Sequence, residues 1–249
     1  MRWFAALAAG FAQNGAQVSA ALAALTEKVF VTSRLFAGYS GALDAGVLAR
    51  LIAALPQGAP GATAAHKRYD AAACAVEIPA DVGFCALGHN LYALGSSYSG
   101  ACPVLSSLVS YGYLWNMVRV QGGAYGTGMN VRRSGDIFCY SYRDPNLDNT
   151  RAVFSAVADF IEDFAAQGTP LDDIIIGAVN TTDPLLDPAG VCESQCVRAL
   201  KGVTPEELAK TRHELLATKP ADLAAMAGVL RRYAREGKFC TFSGTNGGA

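Results

Sequence analysis

Two runs, GAYGTGMNVRR (residues 123–133) and DIFCYSYRD (136–144), are parted by nothing longer than Ser134-Gly135. Alternating, aromatic-rich segments that close must pair as an antiparallel hairpin, because a parallel partner needs a crossover of a dozen residues or more. That hairpin constrains the rest of the chain. AAACAVEIP and DVGFCALGHN read as two further strands, adjacent and joined by a turn around Pro79 to Asp81, and KFCTFSG as a last short one. RLFAGYS reads as a strand ending at Gly41.

Helical spacing fills most of what remains. Residues 1–30 read as one or two helices, and ALDAGVLARLIAALP as a helix stopped by Pro56. A helix is expected from Ser99 to Val118, another over LDNTRAVFSAVADFIEDFAAQG, and several more between residues 171 and 237. QGAPGATAAHKRYD reads as a breaker-rich loop, and TNGGA as a frayed tail. Strands joined by tight turns and helices grouped in sequence predict an α+β fold, a largely antiparallel sheet covered by helices on one face. No internal repeat or Pro/Ser-rich linker divides it, so the sequence predicts a helical connector over 1–30 and one domain over 31–249.

The 249 residues are 51% hydrophobic, enough to bury a core. Twenty basic and twenty-one acidic residues give a net charge of -1, so no overall field draws nucleic acid or an anionic membrane. No run approaches the length of a membrane span. The opening MRWFAALAAGFA imitates a secretory leader, but the pattern continues past Gln13 at helical spacing. Seven scattered cysteines, an odd number and mostly in apolar runs, fit reduced buried thiols of a cytoplasmic protein. Cys192 and Cys196 lie four apart, which on a helix offers half a metal site and no more.

Metal hydrolysis needs three protein ligands and a base, yet the chain has three histidines in all, 66, 89 and 213. RHELLA departs from the zinc helix H-E-x-x-H where Ala217 stands for the second histidine, and no H-x-x-E-H occurs. G-x-S-x-G and G-x-G-x-x-G are absent too. What is left is RVQGGAYG, residues 119–126, after the apolar, helix-like YGYLWNMV. Arg119 would end a helix and Tyr125 would start a strand, with Gly122 and Gly123 turning abruptly between them. Two readings stand on spacing alone: a C-cap arginine beside a packed tyrosine, or two hydrogen-bond donors aimed into one cleft.

LWNMVRVQGGAYGTG followed by SGDIFCYSYRDPNLDNT resembles the C-terminal part of the presequence protease branch of the pitrilysin/insulinase-type zinc peptidases, which carries R-x-x-G-G-A-Y-G and a strand ending S-Y-R-D-P-N. The likeness is specific over roughly residues 110–150 and collinear elsewhere. RLFAGYSG resembles the first strand of that family's last domain, EIPADVGFCALG the segment before its long helix, and AALAALTEKVF the connector leading in.

The resemblance implies an insulinase/mitochondrial processing peptidase-like fold and a two-half enzyme closing over unfolded peptides. Zinc would be bound by another domain and none by this chain, which would be inactive alone. A zinc-bearing N-terminal half, in the same polypeptide or a separate subunit, and a peptide substrate are the implied partners. Arg119 and Tyr125 would serve catalysis, with Gly122, Gly123 and Ala124 meeting the substrate backbone at the bend. The rival reading keeps the fold as a docking or assembly subunit without catalysis.

Overall fold

The computed structural model describes residues 2–58 and 72–244. Most of the loop expected at 57–70, with His66, and the tail expected at TNGGA lie outside the described residues. The chain forms α1 (Arg2–Ala9), α2 (Phe11–Val29), a 3-10 turn (Thr32–Arg34), α3 (Ala45–Ala54), β1 (Cys74–Glu77) and β2 (Gly83–Asn90). α4 (Ala101–Ser107) then runs directly into a π-helix (Leu108–Val120), followed by the hairpin β3 (Gly126–Val131) and β4 (Asp136–Asp144). Helices α5 (Leu147–Ser155), α6 (Val157–Ala166), α7 (Asp172–Thr182), α8 (Pro188–Leu200), α9 (Pro205–Ala217), α10 (Pro220–Ala224) and α11 (Ala227–Glu236) precede β5 (Lys238–Ser243). Helices α1, α2, α3 and α8 belong to one compact unit, and the sheet with the other helices to a second.

In the first unit, local chemistry starts the helices. The Asp44 carboxylate accepts from the N–H groups of Gly46 (2.8 Å) and Val47 (3.2 Å), satisfying donors that α3 leaves open. Asp187 does the same for α8 at Gly190 (2.7 Å), with Pro188 in the first turn. The strand expected at RLFAGYS is not there: no strand forms between residues 35 and 44. Leu35 is extended (φ -70, ψ 124), but the segment meets a helix instead of a strand. At Gly38 the backbone approaches α8 so closely that a Cβ would overlap the Sγ of Cys196. Alternation of side chains allows a strand; only a partner makes one.

In the second unit the sheet order is β1-β5-β2-β4-β3, with β1 and β5 parallel and every other pair antiparallel. The adjacency expected of β1 and β2 is therefore corrected. β5 inserts between them and splits the expected hairpin, a pairing of residues about 160 positions apart that no local pattern encodes. The β3–β4 hairpin forms as expected, though its bend takes three residues, since Arg132 and Asp136 still pair (2.8 Å) and Gly135 adopts the left-handed φ of +94.

One face of the sheet is covered. Cys85, Leu87, Met129, Val131, Ile137 and Cys139 are buried in the core under the helices, while the alternate positions Phe84 and Tyr142 stay exposed. Tyr233 of α11 ties β2 to β4 from below: its hydroxyl donates to the Leu87 carbonyl (2.7 Å) and accepts the Cys139 N–H (2.8 Å). Two expected long helices are each broken in two. The Ala156 N–H bonds to both Ala152 (3.2 Å) and Val153 (3.1 Å), and a tight turn at Ala225–Met226 separates α10 from α11. Thr204 and Glu207 close a reciprocal capping box on α9.

Candidate functional site

The site begins with the helix that leads into it. From Leu108 to Val120 the backbone is wound wider than an α-helix, and the Gln121 N–H reaches back five residues to the Asn116 carbonyl (2.9 Å). Leu108, Val109, Leu114 and Val118 face the core. Tyr111, Trp115 and Arg119, spaced four apart, form a row of neighbours on the other side. The Tyr111 and Trp115 rings are 6.4 Å apart, and the Arg119 guanidinium lies 3.9 Å from the centre of the Trp115 ring.

The bend follows at once. The Gly123 N–H bonds to the Arg119 carbonyl (3.0 Å) and the Ala124 N–H to the Val118 carbonyl (3.1 Å). Gly123 has φ +81, and a Cβ on Gly122 would stand 2.6 Å from the Val118 oxygen, so both positions need glycine. Ala124 is buried, and Tyr125 emerges into solvent at the start of β3.

Tyr125 is 59% exposed. Its ring lies 5.4 Å from that of Tyr142, 5.7 Å from the Arg143 guanidinium and 6.0 Å from that of Arg119. Tyr142 lies over Gly126, its strand partner, where a Cβ would overlap the ring. Arg119 and Tyr125 line the same open groove of about 510 Å³, together with Trp115, Tyr111, Tyr142 and the backbone of β3. Among the described residues no carboxylate lines it. A larger cavity, about 850 Å³, lies at the start of β2 around Pro79 and Asp144 and includes neither Arg119 nor Tyr125. The groove is the better candidate because it holds donors with no hydrogen-bond acceptor within the described residues. At the far end of β3 the Ser110 hydroxyl binds both backbone groups of Met129 and the Ser106 hydroxyl accepts from Val131, so side chains close that stretch of the sheet edge.

The structure thus brings two of the five residues named from sequence, Arg119 and Tyr125, into one groove; Gly122, Gly123 and Ala124 form the bend joining them. Trp115, Tyr142 and Arg143 went unread. Trp115 could have been found from its helical spacing to Arg119, and Tyr142 from counting the hairpin register back from its turn. Among the described residues no group of three or more His, Cys, Asp and Glu could hold a metal. His89 turns Nδ1 to its neighbour Asn90, whose N–H donates at 2.7 Å, and His213 is an exposed residue of α9. No described helix is long and apolar enough to cross a membrane.

The family model of the PreP C-terminal domain matches residues 74–241, which take in β1 to β4, most of β5 and both sides of the bend. The chain belongs to this family. As a PreP C-terminal domain it is similar to "Protein HypA" of Clostridium perfringens, 32% identical over 160 residues, 64% of this chain and 16% of that protein. It is similar as well to "Presequence protease 1, chloroplastic/mitochondrial" of Arabidopsis thaliana, 34% identical over 154 residues, 61% of this chain and 14% of that protein. The chain therefore spans about a sixth of the length of the curated relatives it matches. In fold it resembles a peptidase M16 inactive domain from Pseudomonas fluorescens, with a TM-score of 0.55 at 13% identity over 82% of this chain and 51% of that one. The likeness in fold agrees with the sheet and helices described above, and the chain is an α+β PreP C-terminal domain.

Proposed function

We propose that this PreP C-terminal domain supplies Arg119 and Tyr125 to a peptidase site whose zinc is held by another, N-terminal half, and that residues 31–249 act there as one functional part behind the helical connector 1–30. The observation that carries this reading is the shared groove: a guanidinium and a phenol, brought together by a glycine bend, face open space with their donors unspent. Zinc in the assembled enzyme would supply the Lewis acid and the activated water. This chain's residues would do the rest. Arg119 would hold a backbone carbonyl of an extended, unfolded peptide with its planar fork of donors, and stacking on Trp115 fixes the plane of that fork. Tyr125 would donate its hydroxyl to the oxygen that gains negative charge as the peptide carbon becomes tetrahedral. Gly122, Gly123 and Ala124 would let the peptide backbone pass close to the bend.

One donor to such an oxygen is worth roughly 3 kcal/mol, about a hundredfold in rate. The test mixes the domain with a zinc-bearing N-terminal half of a presequence protease-like enzyme, or uses the full-length parent, and follows cleavage of a short unstructured peptide. Tyr125→Phe should lower kcat by at least about tenfold and Arg119→Ala should lower kcat/KM by a similar factor. Unchanged rates in both would take the two residues out of the mechanism and leave a docking or assembly role for the fold.

A further inference from the structure

Arg143 is the one non-glycine residue with a positive φ (+50) among the described residues. A side chain in that region is disfavoured and persists only where its surroundings fix it. The surroundings here are specific. Asp144, the next residue, is 1% exposed and accepts three hydrogen bonds, from the Ser141 hydroxyl (2.6 Å), the Thr150 hydroxyl (2.6 Å) and the Asn146 N–H (2.8 Å). A clamp that tight on one side of Arg143 dictates the backbone on the other.

From the left-handed residue two contacts run to Tyr125. Its carbonyl accepts the Tyr125 N–H (3.2 Å), one step beyond the last β3–β4 pair. Its guanidinium lies 5.7 Å from the Tyr125 ring centre and forms no ion pair among the described residues. Tyr125 is largely out of the core and its hydroxyl has no hydrogen-bond partner among the described residues, so the phenol is held through its ring alone, by Tyr142 (5.4 Å), Arg143 (5.7 Å) and Arg119 (6.0 Å), and of these only Arg143 also holds its backbone N–H. Arg143 does not itself line the groove.

We infer that Arg143 is a positioning residue: held in a left-handed conformation by the Asp144 clamp, it fixes the backbone and ring of Tyr125 so that the phenol faces the groove. Glycine would meet the backbone requirement at lower cost, so an arginine here indicates that the guanidinium has a task at the ring. The catalytic consequence rests on the donor role proposed above for Tyr125; the placement of the ring does not.

Two measurements separate these. In the isolated chain with isotope-labelled tyrosines, the Tyr125 ring signals are assigned by their loss in Tyr125→Phe. Arg143→Gly should move them while those of the buried Tyr233 stay, with no fall in melting temperature because glycine accepts this φ. Arg143→Lys should restore them in part, since the charge returns without the planar fork. Tyr125 signals that stay in place in Arg143→Gly overturn the inference.

In the assembled enzyme, Arg143→Gly should lower kcat about tenfold with little change in KM, and the loss should vanish in a Tyr125→Phe background. Losses that instead add show that Arg143 acts elsewhere and overturn the inference too. If Tyr125→Phe is costly and Arg143→Gly silent in both assays, the positioning fails and the donor role stands. If Arg143→Gly moves the ring and Tyr125→Phe leaves cleavage intact, the positioning stands and the donor role fails.

Discussion

The Arg119 guanidinium sits 3.9 Å from the centre of the Trp115 ring, one turn earlier on the same helix face, and is thereby oriented without spending a single N–H. A salt bridge would have fixed the side chain too, but it would have occupied the donors a ligand needs. Because Trp115 is 40% exposed, the stacking itself is worth about 0.5–1 kcal/mol in stability. Trp115→Leu is therefore expected to shift the urea midpoint by no more than this, while peptide cleavage by the assembled enzyme falls several-fold. Trp115→Phe, which keeps an aromatic face, should retain most of the activity. If stability and cleavage fell in proportion across the two variants, Trp115 would be a packing residue and nothing more.

Asp144 is expected to dominate the local stability of the turn from β4 into α5. Its carboxylate serves two hydroxyls and one backbone N–H while buried, and removing it strands all three donors. Asp144→Ala should destabilise the domain by about 3 kcal/mol or more, whereas Asp144→Asn, which keeps one acceptor oxygen, should cost about half as much. Chemical unfolding of the isolated chain measures both. Equal effects would mean that the carboxylate is not the shared acceptor.

Two glycines should respond to alanine in opposite directions. At Gly126 a Cβ would overlap the Tyr142 ring, which can escape only by swinging outward and leaving Tyr125. The lost contacts predict a cost of about 1 kcal/mol. At Gly228, within α11, a Cβ meets nothing within 4 Å, and alanine should stabilise by about 0.5–1 kcal/mol through helix propensity alone. Melting curves of the two single variants would show the sign directly, and a stabilised Gly126→Ala would contradict the position of the Tyr142 ring over Gly126.

What the sequence made legible follows from which forces are local. The hairpin and the helix stop before Pro56 depend on residues within a few positions of one another, and both stand. The glycine bend was readable for the same reason, because left-handed backbone and close approach leave a mark on residue type. Insertion of β5 between β1 and β2 was not readable, since each strand shows only its own alternation and not its neighbour. RLFAGYS carried the pattern of a strand without a sheet edge to join. At the candidate site the missed residues divide the same way: Trp115 and Tyr142 follow from helical spacing and hairpin register, whereas the role of Arg143 depends on a backbone conformation that arginine does not advertise.

Alkaline pH should weaken the second unit earlier than its tyrosines alone would suggest. Burial pushes the Cys139 thiol up to about 12, and it pushes the Cys85 thiol up to about 11, opposed by a Ser141 hydrogen bond and reinforced by the Asp144 charge. Burial likewise holds the Tyr233 phenol well above its usual range. In the unfolded chain these thiols ionise from an ordinary value of 9.0 and the phenol from 10.0. Above pH 9 the unfolded state therefore binds fewer protons than the folded one, and stability must fall as pH rises. The contribution is complete below pH 9 and is lost progressively toward pH 11 to 12. Urea midpoints measured from pH 7 to 11 should be level at first and then decline, with Cys85→Ala combined with Cys139→Ala flattening the part between pH 9 and 10. Tyr233→Phe, which also breaks the bridge between Leu87 and Cys139, should lower the whole curve and flatten only the part above pH 10. A decline of equal slope in the cysteine double variant would mean that the two thiols are not buried in the folded state in solution.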